Sequence, residues 1–232
     1  MSTITENVLE AKRRIAAAAA AAGRDGAQVR LLAATKMNGP EAIREAIAAG
    51  VDICAENRVQ EFLEKSAVNA YAGCDVQFIG HLQKNKVKSL VGAVSLIHSV
   101  NSEGLMREID RRARDRGIVQ AVLLEVNIGG EDSKSGAAPE ELDALLACAG
   151  LYPHIQVRGL MAIPPIVSEK GGNLKHFRRM FELFVDIREK KYDNVSMDEL
   201  SMGMSTDYED AVRCGATIVR LGTALFGPRH YD

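Results

Sequence analysis

From residue 29 onward, short runs of β-branched and aliphatic residues alternate with longer stretches whose apolar positions recur every three or four residues. The short runs fall at residues 29–35, 51–56, 76–80, 94–99, 119–128, 157–163, 200–204 and 217–221. Each is apolar nearly throughout, which is the mark of strands covered on both faces. The longer stretches read as amphipathic helices, so the alternation predicts repeated βα units around a parallel sheet. Two helices set the frame. After Asn101-Ser102, a capping pair, Leu105, Met106, Ile109 and Ala113 recur at helical spacing until Gly117. After Asn173, residues Leu174, Phe177, Met180, Phe181, Phe184 and Ile187 form one apolar stripe expected to be core. Ahead of the first strand, an alanine tract at 16–22 joined by Val8 and Ile15 predicts a leading helix within residues 1–25.

Strands alternating with helices either close into a (β/α)8 barrel or lie open as a doubly wound sheet, and periodicity does not choose between them. The polar positions do. In a barrel the site gathers at the C-terminal ends of the strands, and Lys36, Asn57, His81, Ser205 and Gly222-Thr223 each follow a predicted strand. An open dinucleotide-binding sheet carries Gly-x-Gly-x-x-Gly after its first strand, and Lys36-Met37-Asn38-Gly39-Pro40 is not that turn. The expected architecture is therefore one α/β domain, a single (β/α)8 TIM barrel over residues 29–227 with the extra N-terminal helix before it. The chain length of 232 residues suits it, since such barrels run about 200–250 residues.

Composition narrows the function classes. Hydrophobic residues make up 47% and charged residues 26% of the chain, and a net charge of −2 with dispersed Lys and Arg offers nothing to a nucleic acid. Arg111, Arg112, Arg114 and Arg116 cluster in the last turns of a predicted helix, where cations oppose the macrodipole. Cys54, Cys74, Cys148 and Cys214 show neither metal-ligand nor disulfide spacing, so reduced thiols, no metal and a cytoplasmic location are expected. A signal peptide would need a more hydrophobic core than the alanine tract, and no run of about 20 apolar residues suggests a membrane partner.

Lys36 ends an apolar strand, and a partly desolvated amine there is suited to Schiff-base formation with an aldehyde; a lysine that simply reaches solvent is the plainer alternative. Leu221-Gly222-Thr223-Ala224 is a small-residue turn after the last strand, where barrels commonly bind phosphate, and Ser201 to Thr206 bring hydroxyls to the neighbouring strand end. Ordinary tight turns would look the same. Arg220 faces opposite to Leu221; pointing inward, it needs either an acceptor such as a pyridine nitrogen or a carboxylate such as Glu125 or Glu56.

A longer set of motifs runs in order along nearly the whole chain. It comprises Ala34-Thr35-Lys36, Glu56-Asn57-Arg58-Val59-Gln60-Glu61, Phe78-Ile79-Gly80-His81-Leu82-Gln83-Lys84-Asn85-Lys86 and His98-Ser99-Val100. It continues with Ser133-Lys134-Ser135-Gly136, Arg158-Gly159-Leu160-Met161-Ala162-Ile163-Pro164, Ser201-Met202-Gly203-Met204-Ser205, Asp207-Tyr208-Glu209, Val219-Arg220-Leu221-Gly222-Thr223 and Phe226-Gly227. In these the chain resembles the pyridoxal phosphate homeostasis proteins, which share the fold of the alanine racemase N-terminal barrel domain. The resemblance implies that Lys36 carries pyridoxal 5′-phosphate covalently, that Ser205, Gly222 and Thr223 surround the phosphate, and that Arg220 faces the pyridine nitrogen. Asn57 and Ser201 would line the pocket. Ala55 stands where the family usually has glycine, and Val76-Gln77 where it usually has an aromatic or histidine pair, so ring contacts and the edge of the third strand are expected to differ.

An arginine at the pyridine nitrogen disfavours its protonation and weakens the ring as an electron sink, whereas carbanion-stabilising enzymes place a carboxylate there. Racemisation needs acid/base groups on both faces of the substrate carbon. Alanine racemases take the second from a separate β-domain across a dimer, for which residues 222–232 leave no room; Tyr208 and His81 are the nearest substitutes by motif position. The expected role is therefore intracellular vitamin B6 homeostasis, with PLP-dependent apoenzymes as recipients and a monomeric state. A low-activity amino-acid racemase is the alternative, and a phosphate-sensing barrel without covalent cofactor a third reading.

Overall fold

In the computed structural model, which describes residues 3–131, 135–167, 169 and 171–228, eight parallel strands follow one another around a closed barrel, and the last pairs back onto the first. They are β1 (Arg30–Ala34), β2 (Ile53–Glu56), β3 (Asp75–Phe78), β4 (Leu96–Val100), β5 (Gln120–Val126), β6 (Ile155–Ala162), β7 (Val195–Ser201) and β8 (Ile218–Leu221). The helices are α1 (Ile4–Ala21), α2 (Pro40–Ala48), α3 (Val59–Ala67), α4 (Glu103–Asp115), α5 (Leu142–Ala149), α6 (Leu174–Lys190), α7 (Tyr208–Arg213) and the short α8 (Thr223–Phe226). A 3-10 turn at Lys84–Ser89 takes the place of a helix between β3 and β4. The Thr3 hydroxyl and Glu6 carboxylate close a capping box on α1, whose Val8, Ala11, Ile15, Ala18 and Ala19 are buried. Among the described residues, no helix is long and apolar enough to cross a membrane.

Strand alternation divides the core in two. Leu31, Ala33, Cys54, Val219 and Leu221 belong to the layer between strands and helices, while Leu32, Ile53, Ala55, Leu96, Leu123, Met161 and Ile218 pack together inside the barrel. Ala55, the first departure from the family pattern, is thus a small residue of the inner core. Arg220 lies two positions beyond Ile218 on the same inward-facing side of β8 and pairs in register with Leu32.

Three expectations need correction. The seventh strand runs Val195–Ser201 rather than 200–204. Its signature is masked because Asp198 is exposed and Glu199 is committed to Arg30 of β1 by an ion pair, which breaks the apolar run. Beyond Ser201 the chain turns through Gly203, at a positive φ of 90° where a Cβ would come 2.5 Å from Ala211 Cβ. In the α6 stripe, Phe177, Met180, Phe184 and Ile187 are buried, but Phe181 is 41% exposed, because the stripe is wider than the face that meets the barrel. Ser102 and Asn173 do occupy N-cap positions, yet neither side chain caps its helix. The Asn173 amide instead donates to Pro165 O and Asp207 Oδ2, tying the loop after β6 to the turn after β7.

The arginine cluster is structural. Arg111 and Arg112 both bind Glu108, and Arg116 donates to the Val91 and Lys88 carbonyls.

Candidate functional site

The C-terminal ends of the strands open into a cavity of about 420 Å³ that Lys36, Asn57, Ser205, Arg220, Gly222 and Thr223 all line. A smaller recess of about 180 Å³ adjoins it, sharing Lys36, Gly222 and Thr223. Ser201 stands one step deeper, fully buried behind Arg220. Parallel strands necessarily carry all their C-terminal ends to one rim, which is why residues scattered from 36 to 223 converge.

At one side of the cavity, Ser205 Oγ accepts from the backbone N–H groups of Gly222 and Ala224, each at 3.2 Å. A hydroxyl oxygen therefore already sits at the focus of two amide donors where β8 passes into α8. This is donor chemistry suited to an anion, and a phosphate oxygen there would also receive the hydroxyl hydrogens of Ser205 and Thr223. Gly222 has room above it: a Cβ would meet nothing nearer than Ala34 O at 3.7 Å.

Arg220 of β8, two residues before Gly222, also lines the cavity and is 5% exposed. It donates to Ser201 Oγ at 2.7 Å and to Ala162 O at 2.8 Å, and it forms no ion pair among the described residues. Neither carboxylate considered for it is engaged with it. Glu56 accepts from Lys65, Thr35 and Tyr71, and Glu125 accepts from Ser135 at 2.8 Å. Burial pushes the guanidinium pKa down to about 10, with the charges of Glu125 and Asp207 opposing, so it remains a cation at neutral pH.

The arginine is held by a relay drawn from four strands. Ser201 Oγ lies 3.1 Å from His98 Nδ1, and His98 Nε2 lies 2.7 Å from Gln77 Oε1. Because the Gln77 amide nitrogen donates to Asp75 Oδ2, its oxygen is the acceptor, Nε2 carries the imidazole proton, and Nδ1 accepts from Ser201. Burial first, and then the cations Arg220 and Arg30, hold His98 well below the usual histidine pKa, so the ring is neutral. Gln77, the second departure from the family pattern, thus serves inside the barrel. In the sequence, His98 stood out only as part of the His98-Ser99-Val100 motif and Gln77 only as a departure from the family pattern; with inward-facing parity added, neither signal names a partner.

Two buried oxygens in the cavity wall have no hydrogen-bond partner among the described residues, Asn57 Oδ1 and Glu125 Oε2. Glu125 is 4% exposed, and sequence reasoning considered it only as a partner for Arg220. Burial raises its pKa; the Ser135 hydrogen bond and the Arg220 and His81 charges oppose without cancelling. A carboxyl whose folded pKa is raised contributes most below its unfolded pKa, and that contribution is lost as pH rises through the folded value. Urea unfolding of the apoprotein between about pH 5 and 8 should therefore show wild type falling relative to Glu125→Gln as pH rises. A gap between the two that does not change with pH would contradict this.

His81 also lines the cavity. Tyr208 does not: it is buried on α7 with the Arg14 guanidinium 5.6 Å above its ring. Ser133 and Lys134 lie outside the described residues.

The model of the alanine racemase N-terminal domain matches residues 7–230. A pyridoxal phosphate homeostasis protein of Aquifex aeolicus is 45% identical over 226 residues, covering 97% of this chain and 98% of that one. The chain belongs to the pyridoxal phosphate homeostasis protein family. A second member, from Pseudomonas aeruginosa, is 44% identical over 232 residues, covering 100% of this chain and 98% of its own. The solved structure of PipY from Synechococcus elongatus with PLP bound is 31% identical, with a TM-score of 0.83 over 97% of this chain and 100% of that one. As a pyridoxal phosphate homeostasis protein, this chain pairs the family's barrel with a Gln77–His98–Ser201–Arg220 relay across its interior.

Proposed function

We propose that this protein binds pyridoxal 5′-phosphate at the C-terminal end of its barrel, attached covalently through the Lys36 amine, and acts in intracellular PLP homeostasis. One observation carries the reading: an amine, a buried cation with no ion pair among the described residues and a serine-centred pair of amide donors line one cavity of ligand size. The PLP in the PipY relative and the names of the Aquifex and Pseudomonas relatives support it.

The bound group would supply a reactive aldehyde on an aromatic ring. Lys36 would meet the aldehyde, and the Gly222 and Ala224 N–H groups with the Ser205 and Thr223 hydroxyls would hold the phosphate. Arg220, held in place by Ser201, would face the ring nitrogen. A fixed cation at that nitrogen keeps the ring a weak electron sink, which favours storage and delivery to PLP-dependent apoenzymes over turnover. A cytoplasmic, monomeric protein fits this role. The titratable pair His81 and Glu125 in the same cavity supports a second reading, a low-activity amino-acid racemase.

One titration separates these. PLP added to the protein should produce a visible absorbance band that borohydride abolishes, leaving the added mass on the peptide containing Lys36. Pyridoxal, which lacks the phosphate, should reach the same occupancy only at far higher concentration. Absence of a band overturns the covalent reading, and equal binding of the two ligands overturns the phosphate site. Holoprotein in deuterium oxide should leave the α-protons of L- and D-amino acids unexchanged; exchange would favour the racemase.

A further inference from the structure

We propose that Glu61 and Lys65 of α3, which line neither the cavity nor its recess, are positioning residues that lock the turn following Lys36 and thereby aim its amine. This rests on the reading that Lys36 captures PLP.

The turn itself is unusual. The chain leaves β1 at Thr35, whose carbonyl accepts from Asn38 N at 3.1 Å, so Lys36 and Met37 occupy the two central positions. Met37 has a φ of 62°, in the left-handed region that glycine or asparagine normally takes at the second central position. A methionine is held there only if its surroundings favour that conformation over relaxed alternatives.

Glu61 and Lys65 provide those surroundings. Glu61 Oε2 accepts from Met37 N at 2.8 Å, a charge-assisted bond to the strained residue itself. Lys65 Nζ donates to Thr35 O at 2.9 Å, on the other side of Lys36. Its remaining hydrogens go to Glu61 Oε2 at 3.1 Å and Glu56 Oε1 at 2.6 Å, so all three ammonium donors are used. Glu56 Oε1 also accepts from Thr35 Oγ1 at 2.6 Å and from Tyr71 OH at 3.0 Å. Burial tends to raise the Glu61 pKa, but the Met37 and Lys65 bonds hold it below the usual carboxylate range, so the charged form makes these bonds.

The brace thus grips the backbone immediately before and after Lys36 from the outer face of the barrel. It also binds the end of β2, where Glu56 immediately precedes the cavity residue Asn57. Strand alternation explains the arrangement: Thr35 and Glu56 turn outward to α3 while their successors reach the cavity rim. Removing the brace should therefore disturb the reach of the amine and spare the phosphate subsite on β7 and β8.

Glu61→Ala is the test variant, because Glu61 is partly exposed and its loss leaves Lys65 paired with Glu56. The probes are PLP and pyridoxine 5′-phosphate, which keeps the ring and phosphate but has no aldehyde. Glu61→Ala should slow formation of the borohydride-trapped Lys36 adduct by roughly ten- to hundredfold, the size expected for misplacement of a reacting group. Its affinity for pyridoxine 5′-phosphate should match wild type. Glu61→Gln keeps an oxygen for Met37 N and should restore most of the capture rate, whereas Glu61→Met, of similar size but without that oxygen, should not; equal rescue by both would make the role one of bulk packing. A wild type that forms no Lys36 adduct would sink the attachment reading. An adduct formed equally fast in wild type and Glu61→Ala would sink the positioning role alone, as would equal weakening of both ligands.

Discussion

Lys36→Ala should yield a protein that folds normally and forms no borohydride-stable adduct with pyridoxal 5′-phosphate, if Lys36 is the attachment point proposed above. The side chain is half-buried and lines the cavity rather than the packed core, so its truncation should remove few packed atoms. A stability change of about 0.5–1 kcal/mol corresponds to roughly 1–4 °C in Tm for a chain of this size. The turn beneath it should persist, because the bonds to Thr35 O and Met37 N involve backbone rather than the Lys36 amine. Non-covalent PLP binding should survive through the phosphate subsite, read as quenching of ligand fluorescence that dialysis reverses. The measurement is intact mass after reduction. A variant that still gains the mass of one reduced cofactor at stoichiometric ligand would place the attachment elsewhere.

The second large effect concerns the frame of the site. A Cβ on Gly80 would lie 2.6 Å from Asn57 Cα and 2.5 Å from its carbonyl carbon, with the carbonyl oxygen nearer still. All three atoms are backbone at the end of β2, so no side-chain rotation relieves the clash. Gly80→Ala must push the end of β3 away from Asn57, and overpacking of this kind costs about 3 kcal/mol, at the upper end of its usual range. Tm should fall by roughly 6–12 °C. Because Asn57 lines the cavity, PLP affinity should fall as well, even though residue 80 offers no side chain to the ligand. Gly222→Ala is the control at the opposite rim: its Cβ would meet only Ala34 atoms at 3.7 and 3.8 Å, so Tm should change little. Similar Tm losses for the two would mean that glycine at 80 is not there for close approach.

The alternation of strands and helices was legible in the sequence because its evidence is local. A strand covered on both faces must be apolar along its length, and a helix lying on it must repeat its apolar positions every turn, so eight βα units could be read residue by residue. The placement of the site residues followed too, since parallel strands carry their C-terminal ends to one rim whatever their exact register. The reading failed where the local signal was overwritten. Glu199 is polar only because Arg30, far away in sequence, pairs with it, and Phe181 is apolar beyond the width of the buried face. What surrounds each site residue depended on tertiary structure alone. Strand parity says that Gln77, His98, Ser201 and Arg220 face inward, but which of them meet is set by depth and stagger around a closed barrel. That stagger includes register shifts at β4–β5, β5–β6 and β6–β7. The same holds for Arg220, for which the sequence left a carboxylate and a ring nitrogen open: only the tertiary structure shows that neither Glu56, bound to Lys65, nor Glu125, bound to Ser135, forms an ion pair with it. Local periodicity fixes the direction of a side chain; closure of the barrel fixes its neighbours, and the chemistry of this cavity lies in the neighbours.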